Sequence, residues 1–124
     1  MAGSAFNATP VGLAVTPYSN LGVGAAVQVA TNKRQIRRIL GGNGTSTLFY
    51  LQVFDLGSAP SGGTVPLISI PVGIGISTSL TENERLYDPN WVEVANGIYV
   101  AWSSTFATYT AATPATQSIE VDYV

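Results

Sequence analysis

Residues 47–54, T-L-F-Y-L-Q-V-F, constrain the fold more than any other stretch of this chain. In an extended strand Phe49, Leu51 and Val53 share one pleat face, and Leu48, Tyr50 and Phe54 share the other. A strand covered on one side and wet on the other alternates apolar with polar residues, so this one needs cover on both faces. Two sources of cover are open: a second layer of its own fold, or a neighbouring subunit. The run continues into a G-S-A-P-S-G-G-T turn at 57–64 and then V-P-L-I-S-I-P-V at 65–72, which reads as a partner strand.

At 124 residues the chain suits one domain with an independent core. Charged residues make up only 10% of it, against a typical value of about 25%. Gly, Thr, Ser and Ala fill the places where Lys and Glu usually sit, which gives a weakly hydrated surface suited to lasting contact with protein. No run reaches the ~18 apolar residues of a membrane helix, so no membrane partner is expected. The start, M-A-G-S-A-F, lacks the basic head and compact apolar stretch of a secretory signal.

Cysteine is absent, which excludes disulfides and Cys-based zinc sites. Histidine is absent too, and with it the commonest general base near neutral pH and the commonest metal ligand. Neither a Ser-His-Asp triad nor a Cys-His pair can be built. Glu82, Glu84, Asp88 and Glu93 are close in sequence but match no EF-hand spacing, and read as a solvated loop. The glycine clusters at 22–24, 41–44 and 73–75 are not followed by Lys-Ser/Thr, so no phosphate loop is present. Asn7-Ala8-Thr9 and Asn43-Gly44-Thr45 match the glycosylation pattern by chance. The expectation is a protein that is not an enzyme and holds neither cofactor nor metal.

Punctuation divides the chain into an extended N-terminal arm at 1–24, with Pro10, Pro17 and four glycines, and a β domain at 25–124. Within the domain, 24–31 alternates as a strand. Residues 33–40 are ambiguous, because Ile36, Ile39 and Leu40 also fit a helix face; a strand is expected, ending at G-G-N-G and turning into 46–55 as a hairpin. A short strand is expected at 76–80. T-E-N-E at 81–84 has capping-box spacing, so one helical turn is expected toward Tyr87, at a loop tip spanning 81–90. Strands follow at 91–95, 98–104 and 117–124, with Asn96-Gly97 as a tight turn. Ile119, Val121 and Tyr123 are expected inward. Short strands at this spacing predict an antiparallel β-sandwich of jelly-roll-like form.

Charge is unevenly placed. Residues 1–32 carry none, then Lys33, Arg34, Arg37 and Arg38 supply four of the five basic side chains. Such a cluster gains from counterion release on nucleic acid, but the net charge is −2 and no aromatic residue is interleaved. An acidic protein neighbour is the expected partner, and nucleic acid is not. Tyr50, Phe54, Trp91, Tyr99, Trp102 and Tyr109 could stack on sugars, yet most sit in strand patterns where burial dominates. Tyr99 and Trp102 fall on opposite faces of one strand, so one is expected in the core and the other between subunits. Tyr50, Phe54, Tyr99 and Trp102 are the expected subunit-interface residues.

These cassettes resemble a group of small tailed-bacteriophage structural proteins. Y-L-Q-V-F-D at 50–55, Ala59-Pro60, Gly62, Gly63, Pro66 and I-P-V at 70–72 are similar to that family's Y-L-Q-L/V-x-[DN], A-P-x-x-G and P-x-x-x-[IV]-P-V. G-I-Y-V-A-W-S-S-T-F-A-T-Y-T at 97–110 is similar to its G-[IL]-x-x-A-x-S-T-x-x-x-T-x-T stretch, and the chain closes on an alternating Val121-Asp122-Tyr123. The likeness covers about residues 27–124; the arm, the basic cluster and 81–90 depart from it. It implies a virion component that decorates or cements the outer head shell, as a homotrimer bound to the major capsid protein. Lys33, Arg34, Arg37 and Arg38 would then meet acidic capsid loops. The alternative is a receptor- or glycan-binding module of a tail or head fibre, using loops 56–63, 81–90 and 105–116.

Overall fold

The computed structural model describes residues 26–73, 81–87, 90–112, 114 and 116–124. The expected arm and the strand expected at 76–80 lie outside them. Eight strands are formed: β1 (Ala26–Thr31), β2 (Arg34–Asn43), β3 (Phe49–Phe54), β4 (Ile68–Val72), β5 (Thr81–Leu86), β6 (Val92–Val94), β7 (Gly97–Ser103) and β8 (Gln117–Tyr123). One antiparallel sheet has the order β1-β7-β3-β4; the second is built around β2, which pairs with β5, β6 and β8. β8 follows β2 from Ile36 to Asn43, and Gln35 and Val124 exchange backbone hydrogen bonds beyond that. That fills one edge of β2. The other edge is therefore shared by β5, along Arg38 to Asn43, and β6, along Arg34 to Ile36. The expected antiparallel β-sandwich is what forms.

Period-2 alternation places the core between the sheets. Leu51 and Val53 of β3, Ile70 and Val72 of β4, and Ile98, Val100 and Trp102 of β7 face Ile36, Ile39, Val94, Ile119 and Val121 of the second sheet, all within 2% of full burial. Each such aliphatic side chain stabilises by roughly 1.5–3 kcal/mol on leaving water. The sheets approach closely at Gly41, where a Cβ would sit 3.0 Å from both Leu51 Cδ2 and Val72 Cγ2. Two positions along β2, Asn43 ties the layers by polar contacts. Its Nδ2 donates to the carbonyls of Thr47 (2.7 Å), Val72 (3.3 Å) and Gly73 (3.1 Å), and its Oδ1 accepts from Thr45 N at 2.8 Å. With its amide buried this way, the Asn43-Gly44-Thr45 pattern presents no acceptor for a glycan.

Three expectations are corrected. The strand at 33–40 does not stop at the glycines but runs on through Gly41, Gly42 and Asn43. It makes no hairpin with 46–55, because β3 crosses into the other sheet. Its helix-like spacing has a clear cause: the register with β8 shifts between Ile36 and Arg38. One extra residue there puts Ile36 and Ile39 on the same inward face, three apart, as a helix would. Finally, T-E-N-E-R-L is not a helical turn at a loop tip but the strand β5, paired with Arg38 through Asn43. Six consecutive ladder pairs outweigh a local capping preference.

Candidate interaction faces

The second face of β3 is covered by the chain itself. Residues 104–112, which follow β7, fold back over the outer face of β3 and β7 as a strap. Gln52, fully buried, is the fastening. Its Nε2 donates to the carbonyls of Thr105 (2.9 Å), Phe106 (3.1 Å) and Thr108 (3.3 Å) and to Ser69 Oγ (3.2 Å), so two hydrogens are shared among four acceptors. Ser103 Oγ accepts from Thr110 N at 2.9 Å and Thr105 N at 3.2 Å and lies 2.9 Å from the Thr105 carbonyl. Two edge-to-face ring pairs complete the seal: Phe54 with Tyr109 at 5.5 Å and Tyr50 with Phe106 at 5.6 Å. The strap is stitched in turn to the β3–β4 connection, where Tyr109 N donates to Thr64 O and Gly63 N donates to Tyr109 O, each at 2.8 Å. Burial holds the Tyr109 phenol above its ordinary pKa.

This cover sorts the four aromatic residues expected at a subunit interface. Trp102 sits in the inter-sheet core and Phe54 beneath the strap, both 1% exposed within a single chain, so neither has surface left to offer a neighbour. Tyr50 and Tyr99 are half-buried on the outer face of the β1-β7-β3-β4 sheet. Phe106, which was not among the expected residues, is 54% exposed beside Tyr50, and Leu67 at the entry to β4 is 46% exposed. The S-S-T-F-A-T-Y-T run was the signal that could have found this, since the Ser103 and Thr105 hydroxyls satisfy backbone groups of the backfolded strap.

Charge divides between the two sheets. None of β1, β3, β4 and β7 contains a charged side chain, nor do the connections 56–67 and 104–112. Nine of the twelve charges lie on β2, β5, β6 and β8: Arg34, Arg37, Arg38, Arg85, Glu82, Glu84, Glu93, Glu120 and Asp122. Lys33 lies in the β1–β2 turn, Asp55 just beyond β3, and Asp88 outside the described residues. Asp55 is spent internally, its carboxylate accepting from Ala95 N and Asn96 N at 2.8–3.1 Å to fix the β6–β7 turn.

The four basic residues do not act as one patch. Arg38 points out from the middle of the second sheet, paired with Glu84 of β5 through Nε and with Glu120 (3.1 Å) and Asp122 (3.5 Å) of β8 through Nη1. Its hydrogen bond with Glu84 leads the causes that raise its pKa, so its charge is permanent and locally cancelled. Arg37, at the register shift, lies over the Trp91 ring at 4.5 Å. Arg34 donates from Nε to the Thr31 carbonyl at 2.9 Å, with its guanidinium 5.5 Å from the Tyr123 ring centre. Lys33 is exposed.

Of the segments considered for glycan contact, 61–64 and 109 are hydrogen-bonded to one another on the charge-free side, and 81–86 is a strand of the charged sheet. The class of protein this defines is an antiparallel β-sandwich with one charge-free face and one charged face. No protein-family model, curated protein or solved structure matches the chain.

Proposed function

We propose that this chain is a non-enzymatic structural component of a tailed-phage virion, one that decorates the outside of the head shell as a homotrimer and reinforces contacts between capsomers. The observation that supports it best is the use made of its motif residues. Gln52, Asp55 and Ser103, polar members of the cassettes that resemble the phage family, bond backbone groups of the strap, those of Thr108 and Thr110 among them, and of the β6–β7 turn. They hold the strap and the turn in place as parts of a two-faced block.

Mechanically, such a block works by mass action. A trimer matches local threefold positions where capsomers meet. Binding only the assembled shell stabilises it over its dissociated subunits and opposes outward pressure. Docking onto acidic loops of the major capsid protein falls to Lys33, Arg34 and Arg37, at the β1–β2 turn and the start of β2. Arg38 leaves that set, because its three carboxylate partners already neutralise it.

Titration of the purified protein onto empty shells of the parent phage tests this reading. Saturation at a fixed ratio to capsid subunits is expected. A Lys33→Glu, Arg34→Glu, Arg37→Glu variant should lose at least tenfold in affinity at low salt. Absence of shell binding, with binding to host cells or glycans instead, would move the function to the fibre-module alternative.

A further inference from the structure

We infer that Asn96 is a site of spontaneous deamidation: its side chain closes onto the backbone nitrogen of Gly97, and the product loosens the β6–β7 turn. The inference goes beyond the proposed function and does not depend on it.

Two Asn-Gly pairs occur in the chain, Asn43-Gly44 and Asn96-Gly97. The pairing matters chemically because glycine has no Cβ to hinder the approach of the asparagine Cγ to the next nitrogen. In the reaction Gly97 N bonds to Asn96 Cγ, the Cγ–Nδ2 bond breaks, and Nδ2 leaves as ammonia with the Gly97 amide proton. Water then opens the five-membered imide. Opening at the side-chain carbonyl gives aspartate. Opening at the main-chain carbonyl gives isoaspartate, whose backbone runs through Cγ.

The fold treats the two pairs in opposite ways. Asn43 is fully buried, with its Nδ2 donating to the carbonyls of Thr47, Val72 and Gly73 and its Oδ1 accepting from Thr45 N. The nitrogen it would need is engaged too, since Gly44 N donates to Thr116 O at 2.7 Å. Cyclisation there would break these bonds in a site closed to water. Asn96 is exposed in the two-residue turn between Val94 and Gly97. Among the described residues no group bonds its side-chain amide. Its backbone N is held by Asp55 Oδ1 at 2.8 Å, a contact that leaves the side chain free to turn over Gly97.

The turn is also poorly placed to absorb the product. A carboxylate at position 96 would stand beside that of Asp55, which already accepts from Ala95 N and Asn96 N, and like charges there repel. Isoaspartate further inserts a methylene ahead of Gly97, which has no room for even a Cβ between the carbonyl oxygens of Ala30 and Leu56. Strand β7, which starts at Gly97, is the one that pairs with both β1 and β3.

Ageing of the full chain at mildly alkaline pH, followed by peptide mass mapping and enzymatic methylation of isoaspartate, tests this. In the folded chain residue 96 should be converted at least tenfold faster than residue 43. In denaturant the two rates should agree within threefold, since both pairs are then open. The aged protein should melt at a lower temperature than the fresh one, and Asn96→Ser, which cannot cyclise, should keep its midpoint. A folded chain converted at residue 43 as fast as at residue 96, or at neither, would overturn the inference. So would a difference in rate that persists in denaturant, or an Asn96→Ser variant that loses its midpoint on ageing as the wild type does.

Discussion

Gly97 shows how one residue lets two neighbouring segments of a sheet close in on a third. Its φ of +139° belongs to a region that side chains avoid, and a Cβ there would lie 2.9 Å from the carbonyl oxygens of both Ala30 and Leu56. Gly97→Ala should therefore cost at least about 2 kcal/mol by chemical denaturation, a loss that no flexible side chain can relieve. Gly41→Ala is a milder case, since its obstacles are side-chain atoms of Leu51 and Val72. It should cost about 1–3 kcal/mol, recoverable in part by pairing it with Val72→Ala. A denaturation midpoint unchanged in Gly97→Ala would contradict the close packing described. The sequence marked both glycines, one in Asn-Gly and one in G-G-N-G, but as turn residues. Asn-Gly is indeed a turn, whereas Gly41 lies within a strand where sheets converge, a long-range requirement that local composition does not encode.

Among the elements, the strap and the β5–β2–β8 charge row carry separate consequences. Gln52→Leu keeps volume but leaves the carbonyls of Thr105, Phe106 and Thr108 without their donor. It should cost about 1–3 kcal/mol and expose residues 104–112 to limited proteolysis before the sandwich unfolds. Cleavage no faster than in the wild type would mean the strap is held by its rings alone. In the charge row, Arg38→Met leaves Glu84, Glu120 and Asp122 facing one another. The site is partly exposed, so the cost should be about 1–2 kcal/mol, smaller than for a fully buried pair. Added salt should recover stability in the variant by screening that repulsion; a salt response equal to the wild type's would rule the repulsion out. β3, β4, β7 and β8 were legible because alternation and turn residues agreed. β5 was not, although Glu82, Glu84 and Leu86 alternate with Asn83, Arg85 and Tyr87, because a four-residue capping signal matched as well and only the β2 ladder decides between them. The basic cluster was legible as residues and not as a patch. Which cation meets a carboxylate, and which meets a ring, depends on the extra residue at Arg37.

For the whole molecule, burial holds the phenols of Tyr87 and Tyr109 above their ordinary value of 10.0, an effect that Arg85 partly offsets at Tyr87. Unfolded tyrosine loses its proton near that value while the folded residues keep theirs. Stability from this source is complete below pH 10 and falls as pH rises through the folded pKa values. Denaturation midpoints between pH 8 and 11.5 should decline, and Tyr109→Phe should flatten the decline; an identical slope in that variant would place the alkaline sensitivity elsewhere. The sandwich, its two-layer core and the need to cover both faces of β3 were readable from 124 residues. The identity of the cover was not, because a strap and a subunit make the same demand on β3. The division of charge between sheets was hidden for a related reason: charges spread along the chain segregate only once topology assigns each strand to a layer. That division is the central claim, and hydroxyl-radical footprinting of the full chain with and without empty shells tests its consequence for docking most directly. Protection should grow at Trp91 and Tyr123, which lie beside Arg37 and Arg34, while Leu67 and Phe106 are unchanged. Protection at Leu67 and Phe106 instead, or at neither face, would contradict the account.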